Sequence, residues 1–134
     1  MATKASNLRI LVADDHPMIL RMVKEILEAE PHLQVVGEAT DGPQAVTQAE
    51  ALRPDVIVLN VNMPTMSGFE VARRIRTRHP NSAIVILSSH KNGQFIAEAR
   101  KVGARAYVQK SDAADELVRA VEAAAKGKDF FLAV

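Results

Sequence analysis

Three features of this 134-residue chain predict an α/β domain in which five parallel strands alternate with five helices. Short apolar runs rich in β-branched residues alternate five times with stretches whose apolar residues recur at helical spacing. Gly, Pro, Asn or Asp punctuates the joints. The strand-like runs are apolar nearly throughout, the pattern of strands buried on both faces of a parallel sheet. The length suits one domain with one sheet and leaves no room for a second domain of ordinary size.

The first strand is predicted over Leu8 to Ala13. Pro17 suits the first turn of a helix, with Asp15 or His16 near its cap, and Ile19, Leu20, Val23, Ile26 and Leu27 form its apolar stripe. Pro31 stops that helix. Next come "LQVVGEA" as strand, "TDG" as turn and Gln44 to Leu52 as a short helix. Val56 to Val61, the most β-branched run, reads as the central strand. After "NMPTMSG" a helix is expected from Phe69 to Arg78, ended by "HPNS". "AIVILSS" is the fourth strand, Gln94 to Val102 the fourth helix, and Gly103 its C-terminal cap. "RAYVQK" and Ala113 to about Lys126 complete the fifth unit. Residues 1–6 read as an N-terminal tail, and 127–134 as a tail or the start of a linker. Right-handed crossovers place helices on both faces, and the expected strand order is 2-1-3-4-5, the flavodoxin-like, doubly wound three-layer pattern.

Composition narrows the function. Net charge is +1, with 17 basic and 16 acidic residues, which argues against bulk electrostatic binding to nucleic acid or an anionic membrane. The absence of cysteine excludes disulfides, thiolate metal sites and cysteine nucleophiles. The apolar start of the chain reaches two aspartates within a few residues, too short for a signal peptide core or a membrane span. A cytoplasmic protein is expected.

In such a sheet the ligand site lies beyond the carboxyl ends of strands one and three, where the strand order reverses. Those ends carry Asp14, Asp15 and Asn60; Ser88 and Ser89 close the fourth strand and Lys110 the fifth. One crevice thus collects two acids, an amide, hydroxyls and a lysine. Hard oxygen ligands with room for water suit Mg²⁺. Taken alone, the Asp pair reads as a helix cap; the other strand ends favour a site.

With "LVADDHPM", "PDVIVLNVNMPTMSG", "IVILSS" and "GARAYVQK" in this order and spacing, the chain resembles the receiver domain of two-component response regulators from Leu8 to about Lys126. "DDHP", and a lysine followed by Ser-Asp, look most like the NarL/FixJ subgroup, whose receivers usually precede a helix-turn-helix domain. The resemblance implies that Asp14 and Asp15 hold Mg²⁺ and that Asn62 supplies a backbone carbonyl ligand. It makes Ser88 the switch hydroxyl, Tyr107 the aromatic that changes rotamer on activation, and Lys110 the site lysine. Pro64 and Gly68 shape the loop. It also implies a sensor histidine kinase or phosphotransfer protein as partner, and a homodimer through the fourth helix, fifth strand and fifth helix. Contact with DNA is expected only through an output domain, and contact with a membrane is not expected.

Asn60 departs from the pattern, because the family has aspartate at this phosphoacceptor position. An amide oxygen is neutral and a poor nucleophile, and the amide nitrogen lone pair is delocalised. Acyl-phosphate formation is therefore not expected, and the metal site loses one negative charge. Two origins fit: a natural receiver that signals by partner binding, or an engineered substitution that holds an ordinary receiver unphosphorylated. Other classes fit less well. A nucleotide-binding fold would want a glycine-rich first loop, and "ADDHPM" has no glycine. A phosphatase would depend on Ser88 or Ser89 as nucleophile. A pure interaction module would not respond to Mg²⁺.

Three further features have plainer readings. "RRIRTRH", residues 73–79, reads as a solvated basic helix face. Met18 and Met22 are expected to pack against neighbours. The two phenylalanines of "KGKDFFLAV" either pack back on the fifth helix or begin a connection to an output domain.

Overall fold

The computed structural model describes residues 7–131. Five strands arise where expected: β1 (Leu8–Ala13), β2 (Leu33–Ala39), β3 (Val56–Asn60), β4 (Ala83–Ser88) and β5 (Ala106–Gln109). They alternate with α1 (Pro17–Glu28), α2 (Gly42–Leu52), α3 (Gly68–Arg78), α4 (Gly93–Lys101) and α5 (Ala113–Ala125). All pairings are parallel, and the order 2-1-3-4-5 is continued by a sixth strand, β6 (Phe130–Phe131), on the free edge of β5. The flavodoxin-like architecture predicted from the alternation is therefore present, with one strand added.

Local chemistry sets the helix boundaries. Asp41 accepts from the backbone N–H of Gln44 at 2.8 Å, which starts α2 two residues earlier than its apolar stripe indicates. Ser67 and Asn92 cap α3 and α4 in the same way. Gly103, at φ +90°, takes the left-handed turn that ends α4. Lys110 leaves the predicted fifth strand and begins a 3-10 turn, Lys110–Asp112.

Two apolar layers result. On one face Ile10, Val12, Val58, Val85 and Val108 pack against α1 and α5; on the other Leu11, Ile57, Leu59, Ile84 and Ile86 pack beneath α2, α3 and α4. Successive strand residues point to opposite faces, so the continuous apolar runs feed both layers. Met22 packs at the margin of the first layer. Met18 does not pack: it is 85% exposed, because its position on α1 faces away from the sheet. In the basic run, Arg73 and Arg74 pair with Glu70, and Arg78 with Glu50, on exposed surface.

The tail phenylalanines join the sheet. The Phe130 N–H donates to the Arg105 carbonyl at 2.8 Å. Phe130 packs against the α1/α5 layer and Phe131 against the opposite one. The Arg100 guanidinium lies 3.9 Å from the Phe131 ring centroid, and Asp129 pairs with Arg105 at 3.2 Å. As far as Phe131 the tail thus pairs with the edge of β5 rather than lying on the fifth helix alone; residues 1–6 and 132–134 lie outside the described residues. Phe131→Ala is expected to cost about 1 kcal/mol through lost burial and cation–π contact. It should also speed amide exchange at Phe130, as measured by NMR.

Candidate functional site at the strand ends

Topology gathers the predicted residues at the carboxyl edge of the sheet. Asp14 follows β1 and is buried; Asn60 ends β3 and is 5% exposed; Ser88 ends β4 and is buried. Lys110 enters from the turn after β5, and Asp15 is partly exposed. Ser89 is exposed, so only Ser88 faces inward at the end of β4.

Lys110 Nζ lies 2.9 Å from Asp14 Oδ2. This is an ion pair without hydrogen-bond alignment, and Oδ2 has no hydrogen-bond partner among the described residues. Asp14 Oδ1 accepts from the His16 backbone N–H at 2.9 Å and lies 2.9 Å from His16 Nδ1. The same ring nitrogen is 3.2 Å from Asp15 Oδ1. His16 is the residue before α1, and its side chain makes no capping bond. The acid pair therefore serves the strand edge, and helix capping does not account for it.

Asn60 faces these acids through its nitrogen. Nδ2 donates to Asp15 Oδ1 at 3.1 Å and to the Asn62 backbone carbonyl at 2.9 Å. The carbonyl that the resemblance offers as a metal ligand is thus already engaged. Asp14, Asp15 and His16 can bring one ligand atom each within 4.8 Å of one another. The two carboxylates, with a buried and unpartnered Oδ2, fit a hard divalent cation such as Mg²⁺. The Asn60 amide nitrogen does not, because an N–H donor cannot coordinate a cation.

The loop after β3 is held tightly. Gly68 N–H donates to the Val61 carbonyl at 2.8 Å, and Met66 N–H to the Pro64 carbonyl at 2.7 Å across Thr65, at φ +73°. A β-branched residue in that region stores strain, which surrounding structure must hold in place. Pro64 and Gly68 thus bracket a constrained loop.

His90 is the residue that sequence reasoning missed. Its N–H donates to Ser88 Oγ at 3.0 Å, its carbonyl accepts from the Tyr107 hydroxyl at 2.6 Å, and its Nε2 lies 3.0 Å from Asn62 Nδ2. One residue joins Ser88, Tyr107 and the loop after β3. The only sequence signal was its position two residues past the end of β4. Tyr107 is buried in this arrangement, and burial pushes its phenol above the ordinary range, an effect only partly offset by the Ser88 hydroxyl.

Comparison with known proteins agrees with this geometry. Residues 10–122 match the family model described as response regulator receiver domain. The nitrate/nitrite response regulator NarL of Escherichia coli is 38% identical over 119 residues, which cover 89% of this chain and 55% of that protein. The transcriptional regulatory protein DegU of Brevibacillus brevis is 36% identical over 91% of this chain and 52% of its own. The chain spans about half the length of these curated relatives. Among solved structures, the signal receiver domain of NarL from Mycobacterium tuberculosis aligns with a TM-score of 0.88 at 33% identity, covering 92% of this chain and all of that one. A LuxR-family response regulator from Aurantimonas aligns at 0.89 and 34% identity, over 93% of this chain and 89% of that one. The matched span includes every strand end that builds the site, and the chain belongs to the response regulator receiver domain family.

Proposed function

We propose that this chain is the receiver of a transcription-controlling response regulator that, with Asn60 at its acceptor position, takes no phosphoryl group. One observation carries the reading: the side chain at the end of β3 is a buried carboxamide whose nitrogen is bound to Asp15 and Asn62. A site lacking a carboxylate there has no group to attack phosphorus in line. The gathering of Asp14, Asp15, Ser88, Tyr107 and Lys110 near this strand edge supports reading them as the rest of a receiver's response machinery. Tyr107 is buried with its hydroxyl on the His90 carbonyl and needs no phosphoryl group to hold it there.

In this reading, partner contacts set the switch by shifting a two-state equilibrium. A sensor histidine kinase or phosphotransfer protein would recognise the strand-end face. Homodimerisation would use α4, β5 and α5. DNA would be reached only through an output domain, consistent with the names of the transcriptional regulators that the chain resembles. Asp14, Asp15 and the Asn62 carbonyl would hold Mg²⁺, weakened at Asn60. A cytoplasmic location belongs to the same receiver reading. Among the described residues no helix is long and apolar enough to cross a membrane.

The test is incubation with a small-molecule phosphodonor and Mg²⁺, read by intact mass. The unaltered protein is expected to gain no acyl phosphate, and Asn60→Asp is expected to gain one. Stable incorporation mapped to position 60 of the unaltered protein, without prior deamidation, would overturn the reading.

A further inference from the structure

Asn60 is more than a missing nucleophile. We infer that its carboxamide nitrogen acts as a built-in substitute for the divalent cation, competing with metal for the same oxygens. The inference rests on the receiver reading above and concerns how its site is regulated.

Nδ2 carries two N–H donors, and both are used: one on Asp15 Oδ1 and one on the Asn62 carbonyl, at 3.1 and 2.9 Å. These are two of the oxygens that a cation at this edge would draw together. Both partners can only accept, so the nitrogen of the amide, and not its oxygen, must face them. The remaining charge is already offset. Lys110 Nζ stands 2.9 Å from Asp14 Oδ2, and His16 contacts Asp14 Oδ1 through its backbone N–H and lies close to it through its ring. The charge at the metal-free edge is therefore largely offset without an ion, although Asp14 Oδ2 keeps no hydrogen-bond partner among the described residues. For a cation to take Asp15 Oδ1 and the Asn62 carbonyl, both amide hydrogen bonds must break and the carboxamide nitrogen must turn away. It must do so within a side-chain environment that leaves Asn60 only 5% exposed.

Loss of one negative charge would also weaken metal binding, and Asn60→Ala separates the two causes. Asn and Ala are equally neutral, and Ala removes the oxygen ligand together with the plug. If charge and ligand number alone decide, Asn60→Ala binds Mg²⁺ no better than the unaltered protein. If the amide plugs the site, removing it frees Asp15 and the Asn62 carbonyl, and Mg²⁺ binds up to about tenfold more tightly, the worth of roughly one hydrogen bond to a charged group.

The experiment is a Mg²⁺ titration of the unaltered protein, Asn60→Ala and Asn60→Asp, followed by NMR at the backbone amides of Asp15 and Asn62. The expected order of affinity is Asp, then Ala, then Asn. An affinity for Asn60 equal to or above that of Asn60→Ala overturns the plug and leaves the receiver reading intact. A second measurement needs no variant: in metal-free protein the Asn60 side-chain N–H₂ pair should exchange slowly with solvent. Exchange as fast as that of an exposed Asn side chain would also overturn the proposal. Failure of Asn60→Asp to accept a phosphoryl group would instead remove the proposed acceptor role of position 60 on which it rests.

Discussion

Asn60→Asp is expected to lower the stability of the metal-free protein by about 3 kcal/mol. Aspartate keeps the shape of the side chain and inverts its chemistry. The N–H donations to Asp15 Oδ1 and to the Asn62 carbonyl disappear, and an acceptor oxygen takes the place of the donor. A hydrogen bond to a charged group contributes about 1.5–3 kcal/mol, and a neutral one about 1 kcal/mol. Like-charge repulsion adds to the loss; the solvent access of Asp15 and the nearby Lys110 reduce it. Mg²⁺ reverses the sign of the local problem, because a third carboxylate strengthens its binding. At a hundred times its dissociation constant, a ligand that binds only the native state returns about 2.7 kcal/mol. Paired urea melts in chelator and in saturating Mg²⁺ test both halves. The gap should be wide in chelator and should narrow or reverse with Mg²⁺. Equal stability of the two proteins in chelator would mean that the amide contributes nothing through Asp15 and Asn62.

That the sheet and its crowded edge could be read from the chain, and the direction of one amide could not, has a physical reason. Strands such as Val56–Asn60 and helices such as α1 carry periodicity over several residues, and topology then fixes which ends meet. Asp14, Asn60, Ser88 and Lys110 converge for that reason alone. Whether Asn60 presents nitrogen or oxygen depends on what surrounds it in space, and only Asp15 and Asn62 in place decide it. His90 acts largely through its backbone, which sequence does not distinguish from any other residue at that position. Strand β6 has two residues, too few for any period, and it forms because α5 returns the chain to the open edge of β5. Met18 shows the converse error: a methionine on an amphipathic helix suits the core by type, yet its angle on α1 leaves it in solvent.

Gly68→Ala is expected to be at least as damaging as Asn60→Asp, costing about 3 kcal/mol or more. The reason is contact, not conformational freedom, because Gly68 is absent from the glycines with positive φ. A Cβ on Gly68 would stand 2.1 Å from the Asn60 carbonyl oxygen, 2.9 Å from the Asn60 carbonyl carbon and 3.1 Å from Val61 Cα. All three are backbone atoms at the end of a buried strand, so no rotamer change relieves the clash. Either α3 or the loop of residues 61–67 must move, and the Gly68–Val61 hydrogen bond that ties them at 2.8 Å is the first to go. The same shift displaces Asn60 and Asn62, so the slow exchange expected of the Asn60 carboxamide should be lost together with stability. Gly93→Ala is the matched control: it stands at the start of α4 with no atom within 4 Å of its Cβ position. That change should be neutral or stabilising by up to about 1 kcal/mol, since Ala favours helix over Gly. Urea melts of the two variants therefore separate close backbone approach from the general effect of replacing glycine. A Gly68→Ala protein that melts with Gly93→Ala would show that α3 can give way at no cost, and that the edge around Asn60 is not held by its contact with this helix.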